Sequence, residues 1–356
     1  MISLQQLLKA TVNQNATDLH LVVGSPPAMR INGRIVRIKG EPLQPLEVRD
    51  LCYSVLTDDQ RSLFEQNKEM DFSFSLKGIA RFRVNLFFQR GAISGVFRRI
   101  PLEIPSLSSL GLPTSVGEIS HFPHGLVLVT GPTGSGKTTT IASIINEINK
   151  SRKAHIITLE DPIEYLFAHE KSIVNQREVG RDTNSYKNAL KYVLRQDPDV
   201  CFLGELRDVE TIETALILAE TGHLVFATLH TNSAIQTISR IVSVFPGDGQ
   251  DRIRAQLSFV LNAVLSQRLL RRRDGQGMVA AVEVLLLSPA IRNLIRENKL
   301  HQIQGMMQMG QAKSGMITMN QALLNLILKR RIDLKEAFSE SPDPEELDAL
   351  LKKAGI

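Results

Sequence analysis

The chain has 356 residues, 43% of them hydrophobic, and a formal net charge of +5 from 42 Lys and Arg against 37 Asp and Glu. That length holds one large core or two ordinary ones, so two domains are expected, and the mild charge permits an anionic partner without demanding one. With no Trp and four Tyr, a stacked aromatic platform for nucleic-acid bases is excluded.

The first segment, Met1-Ile-Ser-Leu-Gln-Gln-Leu-Leu-Lys9, lacks the basic start and long apolar core of a signal peptide and reads as a helix over 3–15. A strand is expected from Asp18 to Val23. Ala28–Ile31 and Arg34–Ile38 flank Asn32-Gly33, a pair that tolerates the positive φ of a tight hairpin. Two helices follow near 46–56 and 58–67, the second with Thr57 as its N-cap. Asp71–Leu76, Ile79–Gln89 and Ile93–Ile100 then read as antiparallel strands. In Arg81-Phe-Arg-Val-Asn-Leu86 the alternation puts Arg81 and Arg83 on one face and Phe82, Val84 and Leu86 on the other, with Arg98 and Arg99 at the end of the next strand. Residues 1–100 are thus expected to form a small α+β domain, and 101–114, with three prolines, a linker.

From 115 to 356 the texture changes. Short apolar strands at Leu126–Thr130, Ala154–Leu159, Val200–Leu203 and Leu224–Leu229 alternate with helices, the pattern of a parallel sheet covered on both faces. Beyond about residue 250 a mostly helical region is expected, with a hairpin between Leu269 and Leu287. The apolar run Met278–Leu287 contains Glu283 and is too short to span a bilayer. Cys52 and Cys201 lie far apart in apolar runs, which argues against a disulfide framework, and no CxxC pair suggests a structural zinc.

Gly131-Pro132-Thr133-Gly134-Ser135-Gly136-Lys137-Thr138 matches G-x-x-x-x-G-K-[ST], after the strand LVLVT and before a helical run that opens with Thr139. In that context glycine lets backbone N–H groups converge on phosphate oxygens at a helix N-terminus. Lys137 is placed to reach the β and γ phosphates and Thr138 to hold Mg²⁺. Thr231-Asn-Ser-Ala234 lacks the lysine and aspartate of a guanine reader, which favours ATP.

Three further acidic or histidine runs stand at strand ends, where open α/β sheets bind ligands. Glu160-Asp161-Pro-Ile-Glu164 offers three carboxylates, one of which can orient or deprotonate a water. Gly204-Glu205 ends a second strand and puts a glutamate where an aspartate usually contacts Mg²⁺ or its waters. His230 and Thr231 follow a third strand, at the end suited to sensing the γ phosphate, while His223 precedes it. The arginines Arg81, Arg83 and Arg98 read either as a solvated sheet face or as phosphate ligands reaching across a subunit boundary. Five methionines between 302 and 321 suit either core filling or an adaptable contact surface.

The runs GPTGSGKTTT (131–140), ITLEDPIEY (157–165), QDPDVCFLGELRD (196–208) and AETGHLVFATLHTNSA (219–234) closely resemble the four boxes of the type II/IV secretion ATPase superfamily. Ala290-Ile-Arg-Asn-Leu-Ile-Arg-Glu297 is similar to a signature of its type IV pilus retraction (PilT) family. The resemblance implies an α/β fold with a RecA-like ATPase domain behind a PAS-like domain, working as a homohexamer in the cytoplasm at the inner membrane. It implies ATP and Mg²⁺ as cofactors, Glu164 as the catalytic carboxylate, Glu205 on Mg²⁺ and its waters, and His230 responding to the nucleotide. It also implies Arg83 and Arg98 near the phosphates. The partners implied are a membrane platform protein and, through it, pilin, so that hydrolysis powers retraction of the filament. Assembly and secretion ATPases of the superfamily resemble longer chains with a paired-CxxC insertion, which this sequence lacks. A nucleic-acid motor is the other reading, resting on Arg268 and Arg271-Arg272-Arg273.

Overall fold

The protein, seen in a computed structural model, is described for residues 3–31, 33–100, 103–275, 277–309 and 315–356; Asn32 of the expected hairpin and Pro101 and Leu102 of the expected linker lie outside these. It divides into two compact units, residues 1–103 with 162–166, and residues 104–161 with 167–356.

In the first unit, α1 (Leu4–Asn13), β1 (Asp18–Leu21), β2 (Ala28–Ile31) and β3 (Arg34–Arg37) lead to α2 (Pro45–Tyr53) and α3 (Asp58–Asn67). Strands β4 (Glu69–Leu76), β5 (Ala80–Gln89) and β6 (Ala92–Ile100) complete it. Ser3 caps α1 and Thr57 caps α3 through capping boxes, each side chain accepting from a backbone N–H that the helix leaves unpaired. The six strands form an antiparallel sheet in the order β3-β2-β1-β6-β5-β4. One face carries Leu19, Leu21, Phe72, Phe82, Val84, Leu86 and Phe97, packed with Leu7, Leu8, Val48 and Phe64 of the helices. The strict two-residue alternation leaves Asp18, Arg30, Arg81, Arg83 and Arg98 on the other face.

The second unit begins with α4 (Thr114–Glu118), β7 (Gly125–Thr130), α5 (Lys137–Ser151), β8 (His155–Glu160), β9 (Ile173–Glu178) and α6 (Tyr186–Val193). Next come β10 (Val200–Glu205), α7 (Val209–Glu220), β11 (Leu224–Leu229), α8 (Ala234–Ser243), α9 (Gln250–Val260), β12 (Leu261–Arg271) and β13 (Met278–Leu286). It closes with α10 (Pro289–Arg296), α11 (Ile303–Met309), α12 (Met319–Leu328), α13 (Leu334–Glu340) and α14 (Pro344–Lys353). Its seven-stranded sheet runs β13-β12-β7-β11-β10-β8-β9, parallel except for the β12–β13 pair. Apolar residues of the central strands alternate between two cores: Leu126 and Leu128 join one, Val127 and Val129 the other. The second is filled by Ile141, Ile144, Ile145 and Ile148 of α5, each fully buried and worth about 1.5–3 kcal/mol.

Two expectations change. The C-terminal sheet pair is longer than the hairpin expected from Leu269, because β12 starts at Leu261, pairs with β13 from Ala263 and pairs on its other side with β7 as far as Ser266. Its apolar run reads equally well as a continuation of α9, and only pairing over a distance decides. The sheet also has an edge strand, β9, whose mixed sequence IVNQRE gives no strand signal of its own. No helix among the described residues is long and apolar enough to cross a membrane. Cys52 and Cys201 are both buried and free.

Candidate active site

The phosphate loop joins β7 to α5. Gly131, Gly134 and Gly136 have φ of +141°, +81° and +86°, which side chains rarely adopt, so the loop's path requires glycine at these places. A Cβ on Gly131 would also lie 2.2 Å from the Gln267 carbonyl oxygen. Lys137, first residue of α5, donates from Nζ to the carbonyls of Gly131 at 2.8 Å and Pro132 at 3.1 Å, holding its ammonium over the loop. Thr138 and Thr139 follow in the first turn of α5, while Ser135 Oγ is buried with no partner among the described residues. Pro132, Thr133 and Gly134 are exposed at the loop tip. An open tip, a cation and a spare hydroxyl at a helix N-terminus fit a polyphosphate.

Gln267 was not singled out by sequence reasoning, yet it braces this loop from β12. Its Nε2 donates to the Ser135 carbonyl at 2.7 Å and its Oε1 accepts from Thr140 Oγ1 at 2.8 Å, with only 3% of the residue exposed. One residue earlier, Ser266 Oγ lies 2.8 Å from Thr130 Oγ1. The signal available was a polar Ser-Gln pair inside an apolar run.

At the carboxyl end of β10, the register against β11 shifts between Leu203 and Glu205. Gly204 permits this: a Cβ there would sit 3.2 Å from the Leu159 carbonyl of β8, and Thr228 Oγ1 donates to the Gly204 carbonyl at 2.7 Å. The close approach that glycine allows is therefore to a neighbouring strand. Glu205 Oε2 accepts from Arg207 at 2.9 Å and Oε1 pairs with His230 Nε2 at 3.1 Å. Burial alone raises the Glu205 pKa, but the hydrogen bond and charge of Arg207, with His230, bring it below the ordinary value and keep the group ionised. His223, at the other end of β11, is satisfied locally by the Leu218 carbonyl at 2.9 Å and by Thr221.

The three acids after β8 separate. Glu160 is buried and accepts from Thr158 Oγ1 at 2.7 Å, Asp161 is exposed, and Glu164 belongs to the 162–166 segment of the first unit. Arg81 holds that segment. Only 6% exposed, it donates from Nε to the Ile163 carbonyl at 3.1 Å and from its other nitrogens to Ser73 and Ser75. Ile163 and Tyr165 are buried on either side of Glu164.

Arg83 and Arg98 are register partners on β5 and β6. Arg98 Nε donates to Asp18 Oδ1 at 2.8 Å, and Arg83 has no hydrogen-bond or ion-pair partner among the described residues. Burial pushes the Asp18 carboxyl up, and hydrogen bonds from Arg98 and Thr17 with the Arg98 charge more than reverse this. Among the described residues no three His, Cys, Asp or Glu side chains form a metal cage. Mg²⁺ keeps much of its water and is bound through one or two protein oxygens plus substrate phosphates, so a site for it needs no such cage.

The other runs find structural uses. Arg292 of α10 closes the end of α9, donating to the carbonyls of Ser258 and Phe259 and to Asn262 Oδ1, while Ile291 and Ile295 enter the core. Arg268, Arg272 and Arg273 are paired with Glu340, Asp274 and Asp333. Met307, Met316 and Met319 fill the core, whereas Met309 is 80% exposed.

A profile of the Type II/IV secretion system protein family matches residues 3–283. The chain belongs to that family. It is 46% identical over 344 residues to the type IV pilus retraction ATPase PilT of Pseudomonas aeruginosa, covering 97% of this chain and 99% of that protein. It is 40% identical over 348 residues to the type IV pilus ATPase PilU of the same organism, covering 98% and 91%. A crystal structure of the pilus retraction motor PilT with bound ADP superposes with a TM-score of 0.91 at 52% identity, covering 98% of this chain and all of that one. The mixed α/β architecture, with an N-terminal sheet-and-helix unit and a RecA-like sheet, is that of the family.

Proposed function

We propose that this chain is a Mg²⁺-dependent ATP hydrolase that works as a homohexameric motor for type IV pilus retraction and twitching motility. The observation that carries the reading is likeness along nearly the whole chain to a retraction ATPase, joined to an intact phosphate loop and a Glu205–His230 pair at the carboxyl ends of central strands of the same sheet. Lys137 binds the β and γ phosphates, and Thr138 with Glu205 would hold Mg²⁺ and its waters, which would supply charge neutralisation at the phosphates. Glu164 orients and deprotonates the attacking water. His230, already on Glu205, reports the nucleotide state to the carboxylate. Arg83, which has no hydrogen-bond or ion-pair partner among the described residues, meets phosphate charge, and Arg98 does so on leaving Asp18. The motor acts in the cytoplasm at the inner membrane, through a platform protein and without nucleic acid; the pairing of Arg268, Arg272 and Arg273 with acids supports that exclusion.

The test is surface pilus abundance and filament shortening in cells lacking the protein, complemented with wild type or Glu205→Ala. Abundant pili that do not shorten in the null and E205A cells, restored by wild type, are expected. Loss of pili in the null cells would point to assembly instead.

A further inference from the structure

A line of hydroxyls joins the turn that carries His230 to the base of the phosphate loop, and the scheme above does not use it. Thr130 is the last residue of β7 and immediately precedes Gly131, Thr231 immediately follows His230, and Thr237 lies on α8, whose N-cap is Ser233. Thr130, Thr237 and Ser266 of β12 are fully buried. Thr231 Oγ1 lies 2.6 Å from Thr237 Oγ1, Thr237 Oγ1 lies 3.5 Å from Thr130 Oγ1, and Thr130 Oγ1 lies 2.8 Å from Ser266 Oγ. Ser266 is followed by Gln267, which braces the phosphate loop.

Counting hydrogens fixes the direction of the first link. A threonine hydroxyl has one hydrogen and two lone pairs. Thr237 donates its hydrogen to the Ser233 carbonyl at 2.7 Å, and Thr130 Oγ1, at 3.5 Å, is the other acceptor toward which it can turn. With that hydrogen spent, Thr231 is the donor at 2.6 Å. Among the described residues the Thr231 side chain makes no other hydrogen bond, so one buried oxygen on α8 holds the turn next to His230. His230 Nε2 in turn meets Glu205 at 3.1 Å. A satisfied network of this kind, closed off from water, fixes the relative position of the segments it joins.

We propose that Thr237 is a positioning residue of the ATPase: its hydroxyl anchors Thr231, and so sets where His230 stands relative to Glu205 and to the base of the phosphate loop. Thr237 is 0% exposed and acts through its neighbours, without touching nucleotide. The proposal rests on the ATPase reading and adds a residue that none of the four boxes contains.

Two substitutions separate the hydroxyl from the packing, and the full-length protein is the material to use. Thr237→Val keeps the shape and removes the hydroxyl, whereas Thr237→Ser keeps the hydroxyl and removes a buried methyl group. T237V should lower kcat about tenfold, as for the loss of one hydrogen bond that sets the working geometry, with KM for ATP within about twofold. T237S should stay within about twofold of wild-type kcat, although the lost methyl makes it melt no higher than T237V. Thr231→Val should match the kcat of T237V, and the double variant should fall no further, because both substitutions break the same link. Wild-type kcat in T237V would overturn the proposal. So would a T237S as impaired as T237V, since activity would then follow packing, or a double variant whose losses multiply. Loss of hydrolysis in Lys137→Ala alongside an unaffected T237V would leave the ATPase reading standing and remove only this inference, whereas a wild type that does not hydrolyse ATP would remove both.

Discussion

Gln267 shows how much of a nucleotide site lies outside its motif. The glycines give the phosphate loop its path, but a loop needs a wall, and the amide of Gln267 supplies one by bonding Ser135 and Thr140 at once. Gln267→Ala should leave the Ser135 carbonyl and Thr140 hydroxyl without these partners, costing about 1–3 kcal/mol of stability. It should also raise KM for ATP more than it lowers kcat, because the loop would no longer be held in its binding shape. Calorimetric melting with a steady-state ATP titration checks both, and an unchanged KM would show that the glycine path alone suffices. At this scale the loop, Glu205 and His230 were legible from short runs of sequence. Gln267 was not, since it acts on residues brought to it by strand pairing.

Among the elements, β13 carries a comparable device. Glu283 is 4% exposed and accepts from the backbone N–H groups of Ala234 and Met319, the first residues of α8 and α12, so one carboxylate serves two helix N-termini. Burial nevertheless dominates and raises its pKa above the ordinary glutamate value. A raised folded-state pKa contributes stability that is fully present below the unfolded value and is lost as pH rises through the folded one. Glu283→Gln keeps an acceptor and cannot ionise. Its melting temperature relative to wild type should therefore climb as pH increases from about 4.5, in melts run across a pH series; a constant difference would contradict the shift. Capped helices such as α3 were readable because their signals are local. The edge strand β9 and the first half of β12 depend on neighbours far along the chain, and their own residues do not distinguish strand from loop or helix.

For the molecule as a whole, the main discovery beyond the linear reading is that the first unit is not one continuous stretch. The segment 162–166 leaves the RecA-like unit, joins residues 1–103 and returns, carrying Glu164 with it. No composition shift marks it: Pro162 is the sole sign of a break, and the recognition comes from Arg81, 82 positions away from Ile163. Arg81→Ala should cost about 2 kcal/mol, the worth of charged hydrogen bonds left unmade, and should speed proteolysis within 162–166. Melting and timed digestion of the full chain would detect both, and a variant as resistant as wild type would show that the burial of Ile163 and Tyr165 holds the segment by itself.

That arrangement also bears on inheritance. A recombination breakpoint near residue 103 divides the sequence tidily but not the structure, because the five residues that complete the N-terminal unit arrive from the other parent. Chimaeras between diverged relatives would pair one parent's Arg81 and its serines with the other's Ile163 and Tyr165, so the two parts can be exchanged as modules only if this short stretch travels with the N-terminal piece.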